Sequence, residues 1–193
     1  MANGYIPVLY WSVILATSTA GTNMSDYMDR TLGLGYATGS IVLITILIIT
    51  LSVWYFTEKS LSVSNIKCFK GELFYWTAIL FSNTLGTALG DFLADDSGLG
   101  FGGGALLISS LLLLLILAHY FTKISTILLF WIAFILIRPF GATFGDLLTK
   151  TPEKGGLGFG TTGSSLILFV ILASLVLYDS IRKKDMRKKV LQL

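Results

Sequence analysis

Residues 83–104 read NTLGTALGDFLADDSGLGFGGG, and the segment 65 positions earlier, residues 18–39, reads STAGTNMSDYMDRTLGLGYATG. The two segments share a Gly-Thr pair, an aspartate five residues after that glycine and a Gly-Leu-Gly triplet, and no gap separates the matches. A Tyr-Trp pair also precedes each segment, at residues 10–11 and 75–76. This recurrence predicts a chain built from copies of one structural unit.

A third copy of the unit follows further along the chain. Its matching positions are a Phe-Trp pair at 130–131, Gly141-Ala142, Asp146 and, after an insertion with Pro152 and Lys154, Gly156-Leu157-Gly158. We therefore place the repeat units at about residues 6–57, 73–122 and 126–179.

The composition is typical of a membrane protein. Of the 193 residues 54% are hydrophobic and 13% are charged, and the mean hydropathy is +0.78. This leaves too little polar surface to coat a soluble globule. The single cysteine, Cys68, excludes a disulfide framework or a cysteine-based metal cluster. The net charge of +3 comes largely from a basic tail at residues 180–193, so we do not expect nucleic-acid binding.

Six apolar stretches are long enough to cross a bilayer, where they must be helical. They are Ile6–Met24, Tyr36–Phe56, Leu73–Gly90, Phe101–Phe121, Ile124–Gly145 and Gly158–Tyr178. We expect an all-α integral membrane protein with a single transmembrane domain over residues 1–193. Because each repeat unit holds two spans, the three two-helix repeats are parallel, related by an axis along the membrane normal.

Lysine and arginine are distributed unevenly over the two sides of this arrangement. One side holds Lys59, Lys67, Lys70, Lys123 and the six basic residues of the tail. The other holds Arg30, Lys150 and Lys154, and Arg138 could be counted with them. The positive-inside rule then predicts that both termini are cytoplasmic.

In the first helix of each unit a small residue recurs four positions after a glycine, the spacing that lets two membrane helices approach closely. These predicted packing pairs are Gly21/Ser25, Gly86/Gly90 and Gly141/Gly145. The Gly-Leu-Gly triplets lack the lysine and serine of a phosphate-binding loop. We interpret them as tight turns or locally unwound helix starts.

A polar row lies beside the small residues at the same spacing, which puts its members on one helix face. The rows are Ser18, Thr22 and Asp26, then Asn83, Thr87 and Asp91, then Arg138, Ala142 and Asp146. If the three helices gather around an axis, these side chains face one polar cavity. Carboxylate, hydroxyl and amide oxygens suit Mg²⁺, Mn²⁺, Ca²⁺ or protons. The predicted ion-binding or coupling residues are thus Asp26, Asp91, Asp146, Thr22, Thr87, Asn83 and Arg138, with the three aspartates as metal ligands.

Structural roles remain open for these charged groups. A charge inside a span is expensive, which makes Arg138 a functional candidate. It could equally pair with Asp26 or Asp91 and lock the bundle. An aspartate near the end of a span costs little and could simply terminate its helix, and duplication alone would reproduce it in every unit.

The signature Gly-Thr-x-x-Gly-Asp followed by Gly-Leu-Gly-(Phe/Tyr), with Arg-Pro-Phe-Gly-Ala-x-Phe-Gly-Asp in the last unit, covers residues 86–101 and 138–146. It resembles a bacterial family of multi-pass membrane-anchored proteins made of repeated unknown-function domains, and the resemblance extends over most of the chain. It implies an inner-membrane location. Members of that family usually have four units where this chain has three, which implies homo-oligomerisation.

These features predict a small transporter or exporter of a cation, either a divalent metal such as Mn or Mg or a proton-coupled ion. Its partners would be the lipid bilayer, the ion and further copies of the chain, with the cation present as substrate. No nucleophile elbow, zinc-protease motif or dinucleotide fingerprint occurs, so we do not expect an enzyme. One alternative is a non-transporting scaffold or assembly subunit held together by Asp–Arg pairs. Another is anion handling through Arg138, against which three nearby aspartates argue.

Overall fold

The computed structural model describes residues 7–63, 66 and 68–190, and of residues 7, 176 and 179–190 it describes the backbone alone. Within these ranges there are six α-helices and no strand, which confirms the predicted all-α fold. The helices are α1 (Pro7–Asp26), α2 (Tyr36–Glu58), α3 (Phe69–Asp91), α4 (Gly100–Phe121), α5 (Thr126–Thr149) and α6 (Gly160–Val190). The predicted basic tail continues α6 as far as Val190, and its side chains lie outside the described residues.

Among the described residues three helices, α2, α4 and α5, are long and apolar enough to cross a membrane, as expected for a membrane protein. A shorter apolar segment, Gly160–Leu175, forms the first part of α6. At 20 and 23 residues, α1 and α3 have the length of a span. Their sequences are less apolar, and they do not belong to this set of three.

The chain divides between Phe144 and Gly145 into two compact units. The first holds α1 to α4 and most of α5. Its hydrophobic core surrounds α3, where Ala78 and Ile79 are fully buried against Leu43 of α2 and Trp131 of α5. The indole nitrogen of Trp131 donates a hydrogen bond to the carbonyl oxygen of Leu61 at 3.1 Å. The second unit holds the end of α5, a 3₁₀ turn at Pro152–Lys154 and α6.

Helices α1 and α3 run in the same direction and touch at equivalent positions of the repeat. The hydroxyl oxygens of Tyr10 and Tyr75 are 3.2 Å apart, and those of Thr22 and Thr87 are 3.4 Å apart. Both pairs are separated by 65 residues, which is the offset of the repeat. Therefore the two helices pack in register.

Glycines allow these helices to approach closely. A Cβ atom on Gly21 would lie 2.7 Å from the Cβ of Asn83, and one on Gly90 would lie 2.8 Å from the Cβ of Ala142. A Cβ on Gly86 would overlap the Cβ of Arg138. Three of the predicted packing residues thus lie where two backbones approach, α1 against α3 and α3 against α5.

Glycines with positive φ precede the second helix of each repeat. The φ angles are +68° and +72° at Gly33 and Gly35, and Gly98 and Gly100 repeat the pair before α4. In the third copy the pair falls at Gly158 and Gly160, two residues later than the sequence match at 156–158 indicated. The insertion causes this shift, because Gly156 bonds back to the carbonyl oxygen of Thr151. In the first two copies the triplets lie at the start of α2 and α4, where the sequence predicted tight turns or locally unwound helix starts.

We expect the substitution Gly86→Ala to lower the free energy of unfolding by about 1–3 kcal/mol, because the new methyl group would press on the Cβ and backbone of Arg138. The matched control on the same helix is Gly71→Ala, whose Cβ would meet Ile66 and the sulfur of Cys68 at 3.5 and 3.6 Å, ordinary contact distances. This control should be neutral or stabilising by up to about 1 kcal/mol. Unfolding in detergent measures both, and equal effects would contradict the prediction.

Candidate functional site

A cavity of about 360 Å³ lies between α1, α3 and α5. Its lining consists of Ser18, Thr22, Asn83, Gly86, Thr87, Ile137, Arg138, Gly141 and Ala142. Six of these nine residues are the first two members of the polar row of each repeat. The structure therefore brings the first two residues of all three rows together around one space, which we name the Arg138 cavity.

Arg138 lies near the middle of α5, about 18 Å from Thr126 at a rise of about 1.5 Å per residue. Helix α5 is one of the helices long and apolar enough to span a membrane. The helix carries Pro139 at the next position, where the ring removes one backbone donor. The charge of Arg138 is thus presented halfway along a candidate span.

The surroundings of the Arg138 guanidinium are aromatic and neutral. Its central carbon lies 5.8 Å from the centre of the Phe134 ring. The ion pairs found among the described residues are Arg30–Asp26 and Lys150–Asp146, and neither involves Arg138. Arg138 is the one charged residue in the lining of the cavity.

Asn83 contributes a buried amide to the same cavity. The residue is 5% exposed, and neither its side-chain oxygen nor its nitrogen has a hydrogen-bond partner within the described part of the chain. Leaving a buried polar group unsatisfied costs about 1–3 kcal/mol. The lining therefore combines a guanidinium with an amide that carries both a donor and an acceptor.

Two threonine hydroxyls complete the polar lining. Thr22 donates to the carbonyl oxygen of Ser18 at 3.3 Å, and Thr87 donates to that of Asn83 at 3.5 Å. The two hydroxyls also lie within hydrogen-bond distance of each other between α1 and α3, at 3.4 Å, where either of them can be the donor.

The three predicted metal ligands lie outside the lining of the cavity. Asp26 pairs with Arg30 at 3.5 Å, and in the second unit Asp146 pairs with Lys150 at 3.9 Å. A hydrogen bond with Tyr36 and the charges of Asp26 and Asp91 raise the pKa of Arg30 above its ordinary value. Within the described residues no three His, Cys, Asp or Glu side chains form a group that could hold a metal ion. The metal-ligand role of the three aspartates therefore stays a prediction, and no group of ligand residues among the described side chains supports it.

Asp29 is the buried carboxylate among the described residues, and the sequence analysis did not select it. The residue is 7% exposed and lies in a π-helical turn, Tyr27–Thr31, directly after α1. The hydroxyl of Ser25 donates to its Oδ2 at 3.2 Å, and Gly39 of α2 leaves room for its Oδ1. Ser25, predicted to pack like a glycine, thus serves as a hydrogen-bond donor. The sequence did distinguish this residue: the second repeat has Ala94 at the equivalent position, so Asp29 is specific to the first repeat.

Fold and site together define a class: an all-helical, repeat-built chain with helices apolar enough to span a membrane and a polar cavity where its repeats meet. A family model described as a Repeat of Unknown Function (DUF347) matches residues 9–60, 74–125 and 129–185. The chain belongs to this family, and the three predicted repeats are confirmed. No curated protein and no solved structure matches the chain.

Burial raises the pKa of Asp29 above its ordinary value of 3.8, and the Ser25 hydrogen bond offsets part of this. A raised pKa stabilises the fold below the ordinary value, and this stabilisation is lost as the pH rises through the folded-state value. We therefore expect Asp29→Asn to be more stable than the wild type at neutral pH, with the advantage shrinking towards about pH 4. Melting temperatures across this range test the sign.

The control for Asp29→Asn is Asp26→Asn, since Asp26 is partly exposed and belongs to a surface ion pair. Such pairs contribute about 0–1 kcal/mol, so this variant should follow the wild type across the range. A constant difference between Asp29→Asn and the wild type at every pH would contradict the assignment.

Proposed function

We propose that the protein is a multi-pass membrane transporter of a small anion, and that the anion binds in the Arg138 cavity. The observation that carries this proposal is the composition of the lining: one guanidinium, one buried amide without a partner, small hydroxyl residues and no carboxylate.

The charge of the cavity favours an anion over a cation. A guanidinium near the centre of a helix in lipid costs about 2.5–3.5 kcal/mol on insertion scales. A bound anion offsets that cost, since guanidinium groups form paired hydrogen bonds with carboxylates and oxyanions. Asn83 adds a donor from α3. The three aspartates argued against an anion in the sequence, but none of them lines the cavity.

Transport is supported by where the cavity lies. In transporters built from repeats, the substrate site lies near the bilayer midplane where the repeats meet. We propose that all six helices cross the inner membrane as three parallel pairs, with both termini cytoplasmic. The modest hydropathy of α3 is compatible with this, because many of its residues are buried within the protein and do not face lipid.

A scaffold function is the second candidate, and one electrostatic interaction favours it. Arg30, in the turn that follows α1, pairs with Asp26, and its pKa is also raised by the charge of Asp91 at the end of α3. An interaction of this kind between the ends of α1 and α3 is compatible with a structural role. The cation hypothesis rests on the same carboxylates, and Arg30 neutralises part of their charge.

The first experiment measures the melting temperature of the purified protein with sodium salts of short carboxylates and inorganic oxyanions, at constant ionic strength. A ligand at about 100 times its Kd stabilises the folded state by about 2.7 kcal/mol. We expect a subset of these anions to stabilise the wild type. Arg138→Gln should abolish the effect, Arg138→Lys should keep part of it, and the matched control Arg30→Gln, outside the lining, should retain it.

A parallel series with chlorides of Mg²⁺, Mn²⁺ and Ca²⁺ tests the cation hypothesis. Stabilisation by a divalent ion that Asp91→Asn removes, with no response to anions, would sink the anion proposal. Uptake of the stabilising anion into proteoliposomes then separates transport from scaffolding, because a scaffold would show no flux that depends on Arg138.

A further inference from the structure

One helix interface occurs twice within the chain. On α1 the glycine is Gly21 and it packs against Asn83 of α3, and on α3 the equivalent Gly86 packs against Arg138 of α5. Asn83 and Arg138 are themselves equivalent, since both open the polar row of their repeat. On α1 and α3 the side that carries the glycine, which we name the glycine face, packs on the next helix of the series. On α3 and α5 the side that carries the first residue of the polar row, which we name the row face, packs on the previous helix.

The two ends of this series are uncovered. Gly21 and Gly86 are buried, whereas Gly141, their equivalent on α5, is exposed. No described atom lies within 4 Å of the position that a Cβ on Gly141 would occupy. At the other end Ser18 is half-buried and Thr22 is exposed. No glycine of the described chain packs on either of them in the way that Gly21 packs on Asn83.

Helix α1 is poorly suited to face lipid. Like α3, it is less apolar than the three candidate spans. But α3 is enclosed by its neighbours, whereas Gly21 and Ser25 are the buried residues among the described side chains of α1. Ser12, Thr19 and Asn23 are exposed on it. The hydroxyls of Ser12 and Thr19 donate to carbonyl oxygens of α1 itself, so the exposed amide of Asn23 is the group that fits a protein surface better than lipid, since polar groups in hydrocarbon need partners.

We propose that a second copy of this chain covers both faces, with the Ser18 and Thr22 face of its α1 packed on Gly141 of α5 in the first copy. A second copy fits Gly141 because its α1 carries Ser18 and Thr22, the equivalents of the row residues that pack on the glycines within one chain. Copies inserted with the same topology present α5 and α1 in parallel, as in the two intrachain interfaces. A two-fold axis along the membrane normal satisfies both open faces at once.

The dimer also bears on the Arg138 cavity. The described lining comes from α1, α3 and α5, and Gly141 belongs to it. Docking at Gly141 therefore adds a wall from the second copy, so that Ser18 of that copy borders the cavity. This inference does not depend on the ligand being an anion, since it rests on the uncovered faces alone.

Cross-linking between copies tests the interface. In a background where the single cysteine is replaced by serine, Cys68→Ser, one preparation carries Gly141→Cys and a differently tagged one carries Ser18→Cys. We expect mild oxidation of the mixed, co-reconstituted proteins to give a disulfide-linked pair carrying both tags. The matched control replaces Ser18→Cys by Leu113→Cys, an exposed α4 position that should give at least about tenfold less product.

Self-association provides a second readout that does not require a disulfide. Single-molecule photobleaching in bilayers should show dimers for the wild type. Gly141→Leu, whose Cβ would meet no described atom within 4 Å and whose side chain would occupy the open face, should raise the dissociation constant about tenfold or more. A monomeric wild type, a dimer unaffected by Gly141→Leu, or cross-linking that favours Leu113→Cys would each overturn the proposal, as would a different protein occupying this face.

Discussion

The close approach of α1, α3 and α5 at glycine positions is the constraint on which the rest of the structure depends. Gly21 and Gly86 bring the backbones so near that the first residue of each following polar row is pressed against a bare helix face. In lipid no hydrophobic effect drives such contacts, so close packing and polar pairing must hold the helices together. A side chain at these glycines would separate the helices, and the polar rows would no longer border one cavity.

With the helices this close, the position of a charged residue within its polar row decides whether it lies at a helix end or beside the cavity. Asp26 and Asp91 end their helices, where Arg30 pairs with Asp26 and interacts electrostatically with Asp91. Arg138 begins its row in the middle of α5, beside the Phe134 ring and among neutral lining residues. Each row thus ends in an acid, and in the third copy alone the first position of the row carries a base. This separation makes an anion the better counter-charge for the cavity.

The repeat, the helical fold and the shared face of Ser18, Thr22, Asn83, Thr87 and Arg138 followed from spacing in the sequence. Periodicity fixes which residues share a helix face, so the polar rows were predictable once three helices were assumed to gather. The ion pairs of Asp26 and Asp146 were not predicted, although Arg30 and Lys150 lie four residues further on, one helical turn away, which is a spacing that the sequence shows. Asp29 was missed for a different reason: its burial depends on Gly39 in the next helix and on a π-helical turn that no periodicity encodes.

The repeat also explains why the chain ends its series with an unmatched face. Duplication copies both sides of an interface, so a linear row of three units has two internal interfaces and leaves one glycine face and one row face over. A closed ring of the three helices would have joined them, but Gly141 remains exposed. The geometry that admits Arg138 between α3 and α5 is thus the geometry that leaves α5 ready to receive another α1. The proposed dimer and the Arg138 cavity would both follow from one repeated contact.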